Sequence, residues 1–283
     1  MSSVREALAP AVDALHAAGV EDPRLDAELL LAEATGWDRA RLAAEPEAGL
    51  PAPAARRFGE MVRRRLRREP VAYILGRKGF RSLELEVDRR VLIPRPETEL
   101  LVELALELRP RRVLDIGTGS GAVALAIADE LPACEVVASD TSVAALEVAR
   151  ANAERLGLAD RAELVEAMLP PTAVEGGGST GSNVLPFDLV VANLPYVAEA
   201  EWGELEPEVT EWEPREALLG GPDGLDAIRA AIPAAATVAP ALALEVGAGQ
   251  AEAVVALLFE AGFTAVETRP DLAGIPRVVW GRK

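Results

Sequence analysis

Apolar residues over the first seventy positions recur at helical spacing. Val4, Leu8, Val12 and Leu15 fall on one helix face, and Leu25, Leu29 and Leu30 follow after Asp22-Pro23. Pro46, Pro51 and Pro53 interrupt the pattern before a further helix over Ala54 to Arg68, which Glu69-Pro70 ends. The period then drops to two. Leu83, Leu85 and Val87 alternate with Glu84 and Glu86, so Phe80 to Val91 predicts a short strand pair with Asp88-Arg89-Arg90 turning the chain.

Beyond Val91 strands and helices alternate. Glu97 to Leu108 predicts a helix with Leu100, Leu101, Leu104 and Leu108 on one face. A strand at Arg112–Asp115, a helix after Gly121, a strand at Val136–Ala138 and a helix from Ser142 to Leu156 follow. Next come strands around Leu164-Val165 and from Phe187 to Ala192, a helix from Asp223 to Val238, a strand from Leu242 to Val246 and a helix from Ala248 to Ala261. Thr264–Thr268 and Arg277–Trp280 close the chain as an antiparallel pair. Repeated βα units imply an α/β fold, a parallel sheet with helices on both faces. Gly176 to Ser182 is a Gly/Ser stretch and reads as a flexible insertion, because such composition buries no core.

Composition narrows the class. A chain of 283 residues, half of them hydrophobic, suits one large domain or an ordinary domain plus a small one. No uninterrupted apolar run reaches transmembrane length and the first residues lack a signal-peptide pattern, so a cytoplasmic protein without a membrane partner is expected. The single cysteine, Cys134, excludes a disulfide framework and a cysteine-ligated zinc site, and no metal is expected. The net charge of −17 argues against a nucleic-acid partner. Arg56, Arg57, Arg63, Arg64, Arg65, Arg67 and Arg68 form one basic stretch, readable as a solvated helix face or as a contact for an acidic or RNA-bearing partner. His16, the single histidine, lies in a helix with no catalytic partner apparent.

Two segments carry chemistry. Asp115-Ile116-Gly117-Thr118-Gly119-Ser120-Gly121 follows a strand and opens a helix, and its glycines let the backbone approach a ligand. Their alternating spacing suits a nucleoside cofactor with an amino-acid tail and no pyrophosphate. Asp140 ends the next strand, 25 residues after Asp115, where it can accept both ribose hydroxyls or else cap the following helix. Asp115 is a candidate partner for the cofactor's ammonium group, and Met168 a candidate packing partner for its adenine.

Asn193-Leu194-Pro195-Tyr196 directly follows an apolar strand, where ligands of open α/β sheets bind. The alternative is a bland Asn/Pro turn. The tetrad suits a planar –NH2 group. The Asn193 side-chain oxygen and the Leu194 carbonyl can each accept one of its N–H bonds, and Tyr196 can stack on the flat group. Orientation and preorganised dipoles then do the catalysis, with no strong general base needed.

The sequence resembles the peptide-chain release-factor glutamine methyltransferases over nearly its whole length. The resemblance is carried by Glu69–Gly76, Leu92–Glu99, the tetrad, Glu213–Leu218, Gly224-Leu225, Glu245–Gly247, Gln250 and Gly262-Phe263. It implies a helical substrate-recognition domain over residues 1–75, a β-hairpin linker over 76–92 and a seven-stranded class I, Rossmann-like methyltransferase domain over 93–283. It implies S-adenosylmethionine as cofactor and S-adenosylhomocysteine as product, held by Gly117, Thr118, Gly119, Ser120, Gly121, Asp140, Met168 and Asn193. It implies that Asn193, Leu194, Pro195 and Tyr196 bind and activate the glutamine of a release-factor Gly-Gly-Gln motif for methylation on its side-chain amide nitrogen (N5). The partner is then a release factor and the chain a monomer. Leu194 departs from the family's usual proline. The carbonyl at 194 survives the change, while loop rigidity falls. Ala167 stands where the family often has an acidic or small polar residue. Two other readings stay open: adenine N6-methylation of RNA or DNA by the same tetrad, and a binding protein that retains the fold without turnover.

Overall fold

A computed structural model describes residues 2–167 and 186–283. Met168 and the Gly176–Ser182 stretch lie outside the described residues. The chain divides into two compact units, Met1–Arg77 with Glu206–Trp212, and Lys78–Leu205 with Glu213–Lys283.

The first unit holds α1 (Val4–Ala17), α2 (Pro23–Thr35), α3 (Arg39–Ala44), α4 (Ala52–Arg65) and α5 (Val71–Leu75). Ser3 starts α1 with a reciprocal cap: its Oγ accepts the Glu6 N–H at 3.2 Å, and the Glu6 carboxylate accepts the Ser3 N–H at 2.9 Å. Leu15, Leu30, Leu31, Phe58, Met61 and Ile74 pack the core, with Leu8 and Val12 against it. The buried face of α2 runs through Ala27, Leu30 and Leu31, whereas Leu25 is exposed. A small alanine serves the stripe as well as a leucine where helices approach closely, which a search for large residues misses. His16 is exposed in the last turn of α1.

Much of the basic stretch is consumed inside this unit. Arg65 is buried, donates from Nε to Asp26 at 2.6 Å and pairs through Nη2 with Glu208 at 2.6 Å. Arg68 donates from Nε to Glu208 at 2.7 Å, and the Trp212 indole N–H donates to the Arg67 carbonyl at 3.2 Å. Glu206–Trp212 thus belongs to the helical unit through ion pairs and one indole bond. Arg57 and Arg64 pair with Glu33 and Glu69, while Arg56, Arg63 and Arg67 lie exposed.

The second unit begins at Lys78, inside the first strand of a hairpin formed by β1 (Arg77–Phe80) and β2 (Leu83–Glu86). Leu83 and Leu85 are buried and Glu84 and Glu86 exposed, as the alternation predicts. The turn lies at Arg81-Ser82 and not at Asp88–Arg90, which makes a separate turn closed by Val91 N–H on the Asp88 carbonyl at 3.1 Å. Arg81 takes φ +51°, and tertiary contacts hold it there. Glu99 accepts its N–H at 3.0 Å, and Glu130 accepts its guanidinium at 2.7 and 2.8 Å. Phe80, Leu83 and Leu85 join a core with Leu101, Val102 and Leu104, so the hairpin packs as part of this unit.

The remaining elements are α6 (Glu99–Leu108), β3 (Arg112–Ile116), α7 (Ala122–Glu130), β4 (Glu135–Asp140), α8 (Val143–Arg155), β5 (Ala162–Glu166), β6 (Leu189–Ala192), α9 (Pro207–Thr210), α10 (Asp226–Val238), β7 (Ala241–Glu245), α11 (Ala251–Glu260), β8 (Ala265–Pro270) and β9 (Pro276–Arg282). Among the described residues they form a seven-stranded sheet of order β5-β4-β3-β6-β7-β9-β8, parallel except for β9, which runs antiparallel to both neighbours. Every residue of β6 and β7 is buried, because helices cover both faces, and their sequences are correspondingly apolar. The connections leave β3 and β6 in opposite directions, so a crevice opens at the carboxyl ends of these two strands. Register pairs Ile116 with Ala192, which sets Gly117 beside Asn193. Among the described residues no helix is long and apolar enough to cross a membrane, and no cluster suited to holding a metal ion occurs.

Candidate active site

A cavity of about 380 Å³ occupies this crevice. Gly117, Gly119, Asp140 and Thr141 line one part of it, and Asn193, Leu194 and Pro195 another. Leu92, Ile116, Ala145 and Ala167 supply apolar wall. The two segments singled out by chemistry therefore converge on one space.

The glycine loop is shaped from beneath. Gly117, Gly119 and Gly121 all have positive φ, of +71°, +55° and +84°. Asp115 is buried, and its Oδ2 accepts the Thr118 hydroxyl at 2.6 Å and the Ala124 N–H at 3.2 Å. Burial pushes the Asp115 carboxyl up to about 7. Asp115 does not line the cavity, so its role here is to anchor the loop and the first turn of α7. Thr118, Ser120 and Gly121 also stay outside the lining: Thr118 bonds Asp115, the Ser120 carbonyl accepts from Asn152 Nδ2 at 3.0 Å, and Gly121 stands before α7 as its cap.

Asp140 does not cap α8, a place that Ser142 takes; it ties the glycine loop to the end of β4. Oδ1 accepts the Ser142 N–H and Oδ2 the Gly119 N–H, each at 2.9 Å, while Ser142 itself caps α8 through Ala145 N–H. A carboxylate offers about four acceptor sites, so about two remain toward the cavity. Open glycine backbone, a carboxylate with spare acceptors and apolar walls fit a nucleoside: Gly117 and Gly119 permit close approach, Asp140 suits a vicinal diol, and Ala167 and Ala145 suit a flat apolar ring.

Asn193 is half-buried at the end of β6. Its Nδ2 donates to Thr98 Oγ1 at 3.0 Å, which leaves Oδ1 as acceptor. Thr98 is buried, and its hydroxyl stabilises the charged form of Glu245 at the end of β7. The Tyr196 hydroxyl donates to Glu245 Oε1 at 3.4 Å. Burial drives the Glu245 carboxyl up to about 7 and, joined by the nearby Glu245 charge, raises the Tyr196 phenol well above its ordinary range. Tyr196 does not line the cavity. Its carbonyl accepts from Gln250 Nε2 at 2.8 Å, and Gly224 passes so close that a Cβ there would lie 2.1 Å from that carbonyl oxygen. Only glycine fits at 224, which has φ +78° as well.

Four residues that the sequence did not single out as functional hold these parts together. Glu213 is buried; its Oε2 accepts the Ile93 N–H at 3.0 Å and its Oε1 accepts from Arg95. Leu92–Glu99 and Glu213–Leu218, two of the segments that carried the resemblance, thus meet. Asn152 is fully buried and bonds both the Glu86 backbone and the Ser120 carbonyl, tying β2 to the glycine loop. Thr98 and Glu245 support the tetrad. A buried polar residue inside an apolar stretch, as Glu245 ends Ala241–Glu245, is the sequence signal that could have marked them.

Comparison with known proteins adds an independent line. Family models match as PrmC N-terminal domain over residues 6–76 and methyltransferase small domain over residues 96–204. The chain is 42% identical over 280 residues to the release factor glutamine methyltransferase of Caulobacter vibrioides, covering 96% of this chain and 94% of that one. It is 44% identical over 282 residues to that of Bradyrhizobium diazoefficiens (95% and 91%), and 43% identical over 292 residues to that of Burkholderia pseudomallei (100% and 99%). Among solved structures, the hMettl16 catalytic domain in complex with MAT2A 3'UTR hairpin 6 matches with a TM-score of 0.54 at 15% identity, covering 70% of this chain and 74% of that one. That likeness extends to the fold alone.

Proposed function

The chain belongs to the release factor glutamine methyltransferases, and from that premise we propose that it methylates the side-chain amide nitrogen of the glutamine in a release-factor Gly-Gly-Gln motif, with S-adenosylmethionine as donor. The observation that carries the reading is the convergence of Asn193, Leu194 and Pro195 with Gly117, Gly119 and Asp140 on one cavity. A translation factor as acceptor makes the cytoplasm the place of reaction.

S-adenosylmethionine, when bound, supplies an electrophilic methyl group on a sulfonium. Asp140 accepts its ribose hydroxyls, and the Gly117–Gly121 loop accommodates the amino-acid end. Asn193 Oδ1 and the Leu194 carbonyl each accept one N–H of the glutamine amide, which holds its plane and directs the nitrogen toward the donor. An amide nitrogen is a weak nucleophile because its lone pair is delocalised. Two fixed acceptors draw density onto it and stabilise the positive charge that develops, without reorganisation at the moment of transfer. Leu92, Ile116 and Ala145 exclude water from the reacting atoms. The proton leaves nitrogen after transfer, so no strong base is needed. Leu194 supplies the carbonyl as proline does in the family, and its side chain is buried against Gly117.

The test offers recombinant release factor and RNA side by side with labelled S-adenosylmethionine, followed by mass spectrometry of the Gly-Gly-Gln peptide. One added methyl on the glutamine is expected. Label on RNA alone refutes the reading.

A further inference from the structure

We propose that Gln250 is a positioning residue for methyl transfer: by holding the Tyr196 carbonyl it fixes the backbone of the tetrad, and with it the direction in which the Leu194 carbonyl meets the acceptor amide. The inference rests on the glutamine reading above.

A main-chain carbonyl turns with its peptide plane, so the Leu194 carbonyl serves the acceptor only while that plane is held. Within the tetrad, the Pro195 ring locks its own φ and keeps Leu194 in extended backbone. Leucine leaves the φ of residue 194 unlocked, where a proline would fix it. The remaining constraint has to come from groups elsewhere in the chain.

Gln250 supplies it. The residue stands immediately before α11, and its Nε2 donates to the Tyr196 carbonyl at 2.8 Å. Its Oε1 accepts the Gly247 N–H at 2.8 Å. The two ends of this amide are engaged in opposite senses, so a flipped Gln250 would set oxygen against oxygen and N–H against N–H. One orientation is therefore selected, and in it Gln250 presents a donor to Tyr196. The other edge of the same peptide plane is held as well, because the Val197 N–H donates to the Leu218 carbonyl at 2.8 Å. The preceding plane is packed against Gly220, where a Cβ would lie 2.5 Å from the Pro195 carbonyl oxygen. Two consecutive peptide planes are thus fixed, and the locked proline ring carries their constraint back to the Leu194 carbonyl. The slot is cut to the glutamine. A Cβ on Gly224 would lie 2.6 Å from Gln250 Nε2, and one on Gly247 would lie 2.9 Å from Oε1 and 3.2 Å from Tyr196 Cδ2. Gln250 does not line the cavity, so it acts through the tetrad.

The experiment compares the full-length wild-type chain with Gln250→Glu and Gln250→Met. Glutamate keeps the length and the acceptor for Gly247 but sets a carboxylate oxygen against the Tyr196 carbonyl. Methionine keeps the length and loses both bonds. Turnover is measured on recombinant release factor and affinity for S-adenosylhomocysteine by calorimetry. Fluorine NMR of protein labelled with fluorotyrosine watches the tetrad, since the chain has two tyrosines, Tyr73 and Tyr196. Each variant is expected to lose about 10- to 100-fold in kcat, the cost of misplacing a group that orients the reactants. KM for release factor and affinity for S-adenosylhomocysteine are expected to stay within about threefold, because most of a protein substrate's binding energy comes from contacts remote from the reacting atoms. The Tyr196 signal is expected to shift or broaden in both variants while the Tyr73 signal stays. Unchanged kcat in both variants, a loss confined to KM, a fall in cofactor affinity in step with kcat, or an unmoved Tyr196 signal overturns the proposal. A wild type that leaves the glutamine unmethylated overturns the functional reading instead, and the fluorine signals still decide whether Gln250 holds the tetrad.

Discussion

Gly117 and Leu194 meet across the crevice between β3 and β6 with little room to spare. A Cβ on Gly117 would stand 3.3 Å from Leu194 Cδ2 and 3.6 Å from the Asn193 carbonyl oxygen. The glycine loop and the tetrad are thus fitted to each other directly. Gly117 also has φ +71°, where a side chain costs about 1–2 kcal/mol. Gly117→Ala is expected to bind S-adenosylmethionine at least about tenfold more weakly by calorimetry. Unchanged affinity would show that the loop tolerates the methyl and that its contact with Leu194 is incidental.

On the proposed reading, Asn193→Ala removes one of two acceptors for the glutamine amide and leaves Asp140 and the glycine loop in place. Its kcat is expected to fall by about 10²–10³-fold, the usual cost of losing one preorganised hydrogen-bonding group at a reacting centre. Cofactor affinity should stay within about threefold. Full activity in single-turnover assays would refute the role given to Asn193.

Arg65 bridges Asp26 on α2 and Glu208 on α9 within the helical unit, and its side chain is 7% exposed. Arg65→Ala leaves Asp26 buried without its cation, so a loss of about 3 kcal/mol in urea unfolding is expected. Burial already raises the Asp26 carboxyl above its ordinary value. Arg65→Lys should recover part of that loss, because an ammonium cannot reproduce the planar fork that reaches both carboxylates. A loss below about 1 kcal/mol for the alanine variant would place the pair with ordinary surface bridges.

Glu245 makes stability depend on pH in a set direction. Its carboxyl titrates near 7 in the folded chain against an ordinary value of 4.5, so between these values the folded state holds a proton that the unfolded state has released. Raising the pH through that window therefore costs folded stability at this site, and Glu245→Gln escapes the cost. Urea unfolding at pH 5 and pH 8 should show the glutamine variant gaining on the wild type as pH rises. A difference that is constant, or that runs the other way, would mean that Glu245 ionises in the fold as readily as in water.

The sheet was legible because each βα unit writes its periodicity locally. β6 and β7 are covered on both faces and need unbroken apolar runs, which the sequence displays. The hairpin was legible in its alternation but not in its turn. Arg81 adopts a left-handed backbone only because Glu99 and Glu130, far along the chain, hold it. The stripe of α2 was misjudged at Leu25 because helix contact rewards a small residue such as Ala27.

By itself the sequence marked out two contiguous segments, the loop at 117–121 and the tetrad at 193–196, and the structure brings Gly117, Gly119, Asn193, Leu194 and Pro195 of them to one cavity. Each segment is a local backbone turn, so its residue types stand together in the chain. Only the tertiary structure decided how they are held. Thr98, Asn152, Glu213 and Glu245 are single polar positions in four separate elements and loops, and each takes its meaning from a partner dozens of residues away. A buried hydrogen bond needs a donor and an acceptor brought together in space, and the folded sheet alone sets that distance.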